Sequence, residues 1–432
     1  MKTAQLHEHF LKHPRVSTDT RKIKEDSIFF ALKGENFNGN AYAAEALEKG
    51  AAYAVVDEEK HAVSDRCILV GDALTVLQEL ATFHRNFSDA KVISLTGSNG
   101  KTTTKELINA VLSKKYRTIA TQGNLNNHIG VPLTLLSIRS DTEIAIVEMG
   151  ANHQKEIEFL STIAQPDFGY ITNFGKAHLE GFGGEEGVIK GKSELYTYLM
   201  ENGKSIFLNA DDPIQFEKLG SHIKKFGFSE EKKEYYRISF DGADPFVSLK
   251  VEDQLIASQL IGSYNFTNCA AAILMGKYFN VPLVDIKYAI ESYSPKNNRS
   301  QILEKNGHQI ILDAYNANPT SMAAALKNFQ QMPGRPKVAF LGDMFELGET
   351  APMEHQAIAD LAEQMHFEEV FLIGKNFFQT EVKPTPAETK LQKFNSFETV
   401  ADYLEENQIS EGSSILIKGS RGMALERILE LL

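Results

Sequence analysis

The chain has 432 residues, of which 42% are hydrophobic and 24% are charged, and its formal net charge is −12. At about 100–200 residues per domain, this length predicts about two to four globular domains. The acidic balance argues against broad binding of nucleic acid or an anionic membrane. Cys67 and Cys269 are the two cysteines, which excludes a disulfide framework and a CxxC metal site. No apolar run reaches the roughly 18 residues of a membrane span, and the N-terminus lacks a signal-peptide core. We therefore expect a cytoplasmic protein.

The N-terminal region, residues 1–87, mixes short strands with short helices. Apolar runs predict its strands at residues 27–31, 52–56 and 67–70. A helical run at residues 75–87 ends the region, and the next three residues predict a linker. This pattern is typical of a small α/β domain.

In the central region, residues 88–298, short apolar strands alternate with helices. This alternation predicts a largely parallel sheet that is covered by helices. The stretch 236–260 differs, because its alternating pattern, with turns at Asp241-Gly242 and Glu252-Asp253, predicts a small antiparallel insert. The other predicted elements are strands at residues 92–95, 144–148, 168–172 and 205–208 and a helix at residues 265–279.

The C-terminal region, residues 299–432, repeats the alternation and predicts a separate, doubly wound, Rossmann-like domain. Ligands of such sheets bind beyond the carboxyl ends of the strands. We therefore expect Asp313, Asp343 and Lys418 to face a shared cleft. The predicted strands are residues 310–312, 338–341, 370–373 and 415–417, and the predicted helices are residues 321–331, 353–365 and 400–408. The whole chain is thus predicted to be an α/β protein of three domains.

A glycine-rich loop at residues 97–102 lies between a predicted strand and a predicted helix, which is the order of a phosphate-binding loop. Its glycines let backbone N–H groups point at phosphate, and the helix N-terminus adds a positive dipole. Lys101 would reach the phosphate oxygens, and Thr102 would offer a hydroxyl to Mg²⁺. The common pattern has a further glycine where this chain has Leu95, so the loop is a shortened variant. The alternative is a glycine-rich turn with an exposed lysine.

Residues 96–104, with three consecutive threonines, resemble the nucleotide loop of the Mur ligases of peptidoglycan synthesis. They also resemble that of folylpolyglutamate synthases. These enzymes activate a carboxylate as an acyl phosphate, which an amine then attacks. The resemblance implies ATP and two Mg²⁺ ions. It also implies an N-terminal UDP-binding domain, a central P-loop ATPase-type domain and a C-terminal Rossmann-like domain.

The resemblance also implies catalytic roles for Lys101, His178 and Lys192. Glu148 ends an apolar strand, where a carboxylate suits Mg²⁺, although a solvated loop acid is the alternative. His178 resembles the family's histidine that binds a second Mg²⁺. Lys192 resembles the lysine that carries a carbamate, an oxygen ligand made from an amine, and Lys190 competes for that role. The predicted metal ligands are Thr102, Glu148, His178 and Lys192.

Asn265 and Asn268 resemble the family's adenine-contacting segment, and an amide offers the donor and acceptor that an adenine edge needs. Asn265 could instead cap a helix. Arg299 resembles a phosphate-contacting arginine. Residues 313–319 resemble a nucleotide-side segment of the last domain, with simple turn chemistry as the alternative. The predicted ATP-binding residues are Gly97, Ser98, Asn99, Gly100, Lys101, Thr102, Thr103, Asn265, Asn268, Arg299, Asp313, Tyr315 and Asn316.

Within the family, residues 121–132 resemble ligases that add D-alanyl-D-alanine to UDP-N-acetylmuramoyl-tripeptide. Segments in all three regions support this resemblance, and the Asp-Asn-Pro-Arg run of the diaminopimelate-adding members is absent. The supporting segments are residues 18–21, 30–34, 148–151, 177–182, 315–319, 341–348 and 418–421. The predicted substrate-binding residues are Thr20, Arg21, Lys33, Gly34, Asn126 and Asn127.

The resemblance implies these two substrates as partners, no nucleic acid, and a monomer. Lysine and diaminopimelate both remain open as the third residue of the tripeptide. Two other functions stay open as well. One is a sister ligase acting on another muramoyl peptide or on folate, and the other is a non-enzymatic nucleotide-binding switch.

Overall fold

Parallel strands dominate the structure, a computed structural model that describes residues 1–295, 298–334, 336–382 and 390–432. They form sheets of four, nine and six strands, and a two-stranded hairpin accompanies the first sheet. Each sheet is built from one continuous part of the chain. The α/β class and the mostly parallel sheets predicted from the sequence are therefore confirmed.

The first sheet has the order β1-β2-β5-β6, and its four strands are parallel. Helix α3 begins at an aspartate cap, because the Asp72 carboxylate accepts a hydrogen bond from the Thr75 backbone. The elements are α1 (Thr3–Lys12), β1 (Val16–Ser17), β2 (Ser27–Phe30), β3 (Lys33–Gly34), β4 (Phe37–Asn38), α2 (Ala43–Glu48), β5 (Ala51–Val56), β6 (Cys67–Leu69) and α3 (Ala73–Phe87).

The central sheet has the order β15-β14-β13-β12-β11-β10-β7-β9-β8. Its elements are β7 (Lys91–Thr96), α4 (Lys101–Leu112), β8 (Thr118–Ala120), α5 (Gly130–Leu135), β9 (Ile144–Glu148), α6 (Glu156–Ala164), β10 (Phe168–Ile171), α7 (Leu179–Phe182), α8 (Glu185–Glu201), β11 (Ser205–Asn209), α9 (Pro213–Leu219), β12 (Lys225–Ser229), β13 (Tyr236–Ala243), β14 (Phe246–Val251), β15 (Gln254–Ile261), α10 (Phe266–Tyr278) and α11 (Leu283–Ser292).

Helices cover both faces of this sheet. Val92 packs on the face of α3, α5, α6 and α8, whereas Ile93 and Leu95 pack on the face of α4, α10 and α11. A strand that is buried on both sides must be apolar at successive positions, which explains the continuous apolar run in β7. Because β7 is an interior strand, the loop that follows it begins among the carboxyl ends of the central strands.

The predicted antiparallel insert is present, but it continues the central sheet. β13 pairs in parallel with β12, whereas β14 pairs antiparallel with β13 and β15. The turn predicted at Glu252-Asp253 is confirmed between β14 and β15. The turn predicted at Asp241-Gly242 is wrong. Both residues lie in β13 at a register shift, where an extra residue bends the strand without ending it.

The third sheet has the order β16-β17-β21-β18-β19-β20, with β16 antiparallel to β17 and the other pairs parallel. Its elements are β16 (Gln301–Lys305), β17 (His308–Asp313), α12 (Pro319–Gln331), β18 (Lys337–Gly342), α13 (Ala351–Glu363), β19 (Glu369–Ile373), α14 (Lys375–Phe378), β20 (Lys390–Phe394), α15 (Phe397–Glu406) and β21 (Ser414–Lys418). Within the described residues, no helix combines the length and the apolar character needed to cross a bilayer.

Candidate active site

A cavity of about 1160 Å³ lies between the carboxyl ends of the central strands and the third sheet. Most of the predicted site residues line it, although they come from distant parts of the chain. Those that line the cavity are Ser98, Asn99, Gly100, Lys101, Thr102, Thr103, Asn126, Asn127, Glu148, His178, Asn265, Asn268, Arg299, Asp313, Tyr315 and Asn316.

The predicted substrate residues of the first sheet lie outside this cavity. Arg21 forms two hydrogen bonds of 2.9 Å with the carboxylate of Asp19, and it is exposed. Lys33 pairs with Asp57 at 2.8 Å. Thr20 begins the short 3-10 helix that contains Arg21, and Gly34 ends β3 next to Lys33.

The glycine-rich loop depends on two glycines with positive φ angles, Gly97 at 144° and Gly100 at 79°. A Cβ atom on Gly97 would lie 2.0 Å from the Thr172 hydroxyl oxygen, and one on Gly100 would lie 2.5 Å from the Asn268 Oδ1. Both positions therefore require glycine for space as well as for backbone conformation. Helix α4 begins directly after Gly100, so its N-terminal dipole is directed at the loop.

Thr172 and Asn173, which follow β10, hold the loop from the neighbouring strand. The Thr172 hydroxyl donates to the Asn99 carbonyl at 2.6 Å, and the Asn99 backbone N–H donates to the Asn173 Oδ1 at 3.0 Å. Neither residue was predicted from the sequence to be part of the site. Their position at the carboxyl end of a strand was the available signal.

Lys101 folds back over the loop, where its Nζ donates to the Gly97 carbonyl at 2.6 Å. Burial lowers the pKa of Lys101, the carboxylate of Glu148 opposes this shift, and the nearby charge of Arg299 adds to it. The site therefore already concentrates positive charge, which suits an anionic ligand such as the phosphates of ATP.

Glu148 fits the role of a magnesium ligand. Its side chain is 1% exposed, and its Oε1 accepts hydrogen bonds from Asn126 Nδ2 at 2.8 Å and Thr102 Oγ1 at 3.3 Å. Its Oε2 has no hydrogen-bond partner within the described residues. A buried carboxylate oxygen that lacks a partner is an available ligand for a hard cation. No three His, Cys, Asp or Glu side chains of the described ranges converge on one point.

Lys105 also belongs to the site, although it was not predicted from the sequence. It is buried one turn after Lys101 on α4, its Nζ donates to the Thr121 carbonyl at 2.7 Å, and it lies 3.9 Å from the Glu148 Oε2. Its charge offsets that of the buried carboxylate. The spacing of four residues from Lys101 was the signal that could have found it.

His178 lies immediately before α7 in a left-handed conformation, with a φ of 54°. Its Nδ1 lies 2.5 Å from the Oε2 of Glu346, which belongs to the third sheet's part of the chain. Proximity to His178 lowers the pKa of the half-exposed Glu346 carboxyl group, although the His178 Nδ1 makes no hydrogen bond within the described residues. The contact with Glu346 was not predicted from the sequence.

Lys192 is fully buried on α8 and is not among the residues that line the cavity. Its Nζ donates to the Ala151 carbonyl at 3.0 Å and lies 4.7 Å from the centre of the Phe182 ring. Burial holds the pKa of Lys192 well below its usual range, and the charge of Lys101 lowers it further. The competing Lys190 is exposed.

Asn265 and Asn268 are buried and fasten α10 to α4. Asn268 donates to the Asn265 Oδ1 at 2.8 Å and accepts from the Thr104 hydroxyl at 3.0 Å. The side chain of Asn265 donates backward to the Ile261 carbonyl at 2.8 Å and makes no capping bond. Asn265 therefore occupies the N-cap position of α10, as the alternative predicted, but its side chain is bound to Ile261 and Asn268 and makes no capping hydrogen bond.

On the opposite wall of the cavity, the Arg299 guanidinium lies 3.6 Å from the centre of the Tyr315 ring. Asp313 pairs with the buried Lys418 at 2.6 Å, as the positions at the ends of their strands predict. Asp343 does not face this cavity. Its carboxylate is buried and accepts hydrogen bonds of 2.9 Å from the backbone N–H groups of Asn376 and Phe377, so it holds the start of α14.

Direct contacts join the glycine-rich loop and the segment after β10 to the third sheet. Asn318 Nδ2 donates to Asn99 Oδ1 at 2.7 Å, and Lys176 Nζ pairs with the buried carboxylate of Glu354 at 2.8 Å. The two walls of the cavity are thus held together by side chains far apart in the sequence.

Three family models match the chain: "Mur ligase family, catalytic domain" at residues 14–85, "Mur ligase middle domain" at residues 95–276, and "Mur ligase, glutamate ligase domain" at residues 298–421. The UDP-N-acetylmuramoyl-tripeptide--D-alanyl-D-alanine ligase of Bacillus subtilis (strain 168) is 36% identical. That alignment covers 96% of this chain and 92% of the relative.

Solved structures agree over almost the whole length. A crystal structure of MurF from Acinetobacter baumannii superposes with a TM-score of 0.84 at 29% identity, covering 99% of this chain and 98% of the other. MurF ligase from Thermotoga maritima in complex with ADP gives a TM-score of 0.80 at 27% identity, covering 98% of this chain and 97% of the other. Since a relative above 30% identity aligns over nearly the entire chain, and family models match all three regions, the chain belongs to the Mur ligase family.

Proposed function

We propose that the chain is an ATP-dependent ligase that joins D-alanyl-D-alanine to UDP-N-acetylmuramoyl-tripeptide in the synthesis of peptidoglycan precursors. The observation that carries the proposal is that a phosphate-binding loop and the buried carboxylate of Glu148 lie side by side in one cavity, where the Thr102 hydroxyl donates to the Glu148 Oε1 at 3.3 Å. The names of the relatives supply the substrates, and the matching of all three regions supports a complete ligase as opposed to an isolated nucleotide-binding domain.

In this reaction a carboxylate oxygen of the tripeptide attacks the γ-phosphorus of ATP, and ADP leaves. The amine of D-alanyl-D-alanine then attacks the acyl carbon, and inorganic phosphate leaves as the amide bond forms. Lys101 and the N-terminus of α4 stabilise the charge on the phosphoryl group, and Arg299 adds charge from the opposite wall. Thr102, Glu148, His178 and Lys192 would hold Mg²⁺, which neutralises phosphate charge when bound.

Carbamylation of Lys192 forms part of the proposal. CO₂ reacts with an uncharged amine, and the low pKa of this buried lysine favours that form. The Lys192 Nζ donates to the uncharged Ala151 carbonyl at 3.0 Å, and an added carbamate would introduce the negative charge that a cation needs. The exposed Lys190 lacks this environment.

We propose a separate binding role for each of three domains, at residues 1–87, 88–298 and 299–432. The first would bind the UDP group through Thr20, Arg21, Lys33 and Gly34, while Asn126 and Asn127 would contact the peptide. The second and third would hold the nucleotide through the residues that line the cavity. Because one chain supplies both cavity walls, we propose that it acts as a monomer, and its nucleotide substrates place it in the cytoplasm.

Phosphate release from ATP tests the proposal. We expect release only when UDP-N-acetylmuramoyl-tripeptide and D-alanyl-D-alanine are both present. Tripeptides with lysine and with diaminopimelate as the third residue are tested separately. A single D-alanine in place of the dipeptide is the matched control. Equal turnover with D-alanine would assign the chain to a sister ligase. Turnover with folate and glutamate by a variant lacking residues 1–87 would assign it to the folate branch.

A further inference from the structure

Helix α4 carries a buried lysine, Lys105, whose hydrogen bond is directed away from the cavity. Lys105 is 2% exposed, and its Nζ donates to the Thr121 carbonyl at 2.7 Å. The carboxylates of Glu106 at 3.8 Å and Glu148 at 3.9 Å lie farther away and offset its charge. A hydrogen bond from an ammonium group is about twice as strong as one between neutral groups, and a buried charge requires such partners. The Thr121 carbonyl is therefore held firmly to α4.

Thr121 begins a segment, residues 121–128, that forms part of the cavity wall. The segment lies between the end of β8 and the start of α5. Neither Lys105 nor Thr121 is among the residues that line the cavity, so an effect of Lys105 on the cavity must pass through this segment. The residues of the segment that line the cavity are Asn124, Asn126, Asn127 and His128.

The far end of the 121–128 segment is held by other contacts. Asn126 Nδ2 donates to the Glu148 Oε1 at 2.8 Å, and the Asn126 carbonyl accepts from the Gly150 backbone N–H at 2.7 Å. Residues 122–125, between the two ends, are exposed. Because exposed loop residues have few packing contacts, the path of the segment depends on where its two ends are held.

Lys105 adds a connection that the other contacts of Thr121 do not supply. The Thr121 backbone N–H donates to the Ile146 carbonyl at 3.0 Å, and its Oγ1 accepts from the Glu148 backbone N–H at 2.9 Å. Both of these partners belong to β9. The bond from Lys105 instead joins Thr121 to α4, which begins at Lys101 directly after the glycine-rich loop. Lys105 thus links the start of the segment to the helix that carries the phosphate-binding loop.

We propose that Lys105 is a positioning residue that holds the 121–128 segment at a fixed distance from the glycine-rich loop, so that the terminal carboxylate of the muramoyl tripeptide is aligned with the γ-phosphate of ATP. Lys105 acts through the backbone of Thr121 and not by contact with either substrate. The inference rests on the proposed function, because only that function assigns Asn126 and Asn127 to the peptide. It extends that function by assigning the alignment of two substrates to a residue outside the cavity.

Hydrogen–deuterium exchange of the full chain without substrates tests whether Lys105 holds the segment. Lys105→Met keeps a flexible apolar stem but removes the donor, so we expect the backbone amide of Thr121 and its neighbours in the segment to exchange about tenfold faster. The amides of residues 97–104 should exchange as in the wild type. The matched control is Lys114→Met, because Lys114 is exposed just after the end of α4 and should leave the exchange unchanged. Wild-type exchange at Thr121 in Lys105→Met would overturn the proposal.

Steady-state kinetics separate positioning from a general structural role. In Lys105→Met, the KM for UDP-N-acetylmuramoyl-tripeptide should rise about tenfold, whereas the Kd of ADP from calorimetry should stay at the wild-type value. An unchanged KM, or an equal loss of tripeptide and ADP affinity, would overturn the proposal.

A second variant covers the case in which Lys105→Met does not fold. Lys105→Gln has a shorter, uncharged amide that still donates, so it should show the same changes at a smaller size. If Lys105→Met does not fold, Lys105→Gln takes its place in both measurements. Wild-type exchange at Thr121 and a wild-type KM in Lys105→Gln would then overturn the proposal.

The wild type's phosphate release distinguishes this inference from the proposed function. If the two substrates give release but Lys105→Met leaves the exchange at Thr121 and the tripeptide KM unchanged, only the positioning role is wrong. If the two substrates give no release while the exchange at Thr121 still rises in Lys105→Met, the role of Lys105 in holding the segment is supported and the substrate assignment is wrong.

Discussion

Lys192 occupies a position where a charged ammonium group is costly, since it is fully buried and the charge of Lys101 also opposes protonation. If it acts as a carbamate, Lys192→Ala removes a negative ligand group, and we expect kcat to fall by about 10²-fold. Acetate or formate should restore part of the lost activity by entering the space. The control Lys190→Ala should retain wild-type activity, since Lys190 is exposed. Full activity in Lys192→Ala would contradict the carbamate role.

Gly100 and Gly203 separate two effects of a substitution to alanine. Both have positive φ angles, 79° and 62°, but a Cβ atom on Gly100 would strike Asn268 whereas one on Gly203 would meet no atom within 4 Å. Gly203→Ala should therefore lower the free energy of unfolding by about 1 kcal/mol, with ADP affinity unchanged. Gly100→Ala should lower it further and weaken ADP binding at least about tenfold, since the loop must move. Urea unfolding and calorimetry measure both quantities, and equal effects of the two substitutions would argue against the clash.

At the scale of single residues, the sequence predicted site residues that lie in a recognisable strand or loop pattern. It did not predict residues whose contacts depend on a partner from another element. Glu148 and Lys101 follow strand and loop patterns, and both line the cavity. Lys105 lies near Glu148 and Glu346 lies near His178, and these partners belong to other elements. The prediction that Asp343 faces the cleft was wrong, because its carboxylate binds backbone N–H groups at the start of α14. The order of the strands does not determine this contact.

Helices α1 and α3 are joined by a buried pair of histidines, which makes this contact sensitive to pH. The His7 Nε2 and the His84 Nδ1 lie 3.0 Å apart, and the His84 Nε2 lies 3.0 Å from the Ile138 carbonyl. Burial lowers the pKa of both histidines, and the charge of His84 lowers that of His7 further. The folded state therefore binds fewer protons than the unfolded state below about pH 6.5, and stability is lost as the pH falls through that value.

We expect the free energy of unfolding to decrease by on the order of 1 kcal/mol between pH 7.5 and pH 5.5. The double substitution His7→Leu/His84→Leu should make this dependence shallower. It should not abolish it, because burial also lowers the pKa of His355 in the third sheet's part of the chain. His9→Leu, on the same helix as His7, is the control. Urea midpoints at the two pH values provide the measurement, and an unchanged slope in the double variant would contradict this assignment.

Among the elements, strands with a continuous apolar run were predictable, whereas three polar edge strands were not. β7 and β9 are continuous apolar runs because helices cover both of their faces. β8, β16 and β20 lie at edges of their sheets, are only partly buried and carry polar residues, so they lack that pattern. The bulge in β13 looked like a turn because an Asp-Gly pair serves both structures.

For the whole molecule, the ion pair between Lys176 and Glu354 stabilises the approach of the third sheet. Lys176→Met would leave the buried Glu354 carboxylate without its 2.8 Å partner, so we expect a shift toward a more open arrangement. The radius of gyration from small-angle scattering should rise, and kcat should fall about 3- to 10-fold, which corresponds to about 1 kcal/mol. ADP affinity should change little, because the glycine-rich loop is intact.

Adding Glu354→Gln to Lys176→Met tests the physical reason for that opening. The double variant removes the unpaired buried charge, so it should recover part of the compact arrangement. Equal scattering profiles for the wild type and Lys176→Met would show that the ion pair does not hold the two parts together. These contacts could not be predicted from the sequence, because their partners become neighbours only after separate sheets have folded and packed.

In the proposed mechanism, the cavity activates a carboxylate by transferring a phosphoryl group to it. Reaction of UDP-N-acetylmuramoyl-tripeptide carrying ¹⁸O in both oxygens of its terminal carboxylate, with ATP and D-alanyl-D-alanine, tests this directly. The carboxylate oxygen that attacks the γ-phosphorus leaves with that phosphorus when the amine forms the amide. Mass spectrometry should therefore find one ¹⁸O atom in each inorganic phosphate released. Amide formation with unlabelled phosphate would contradict the acyl-phosphate mechanism.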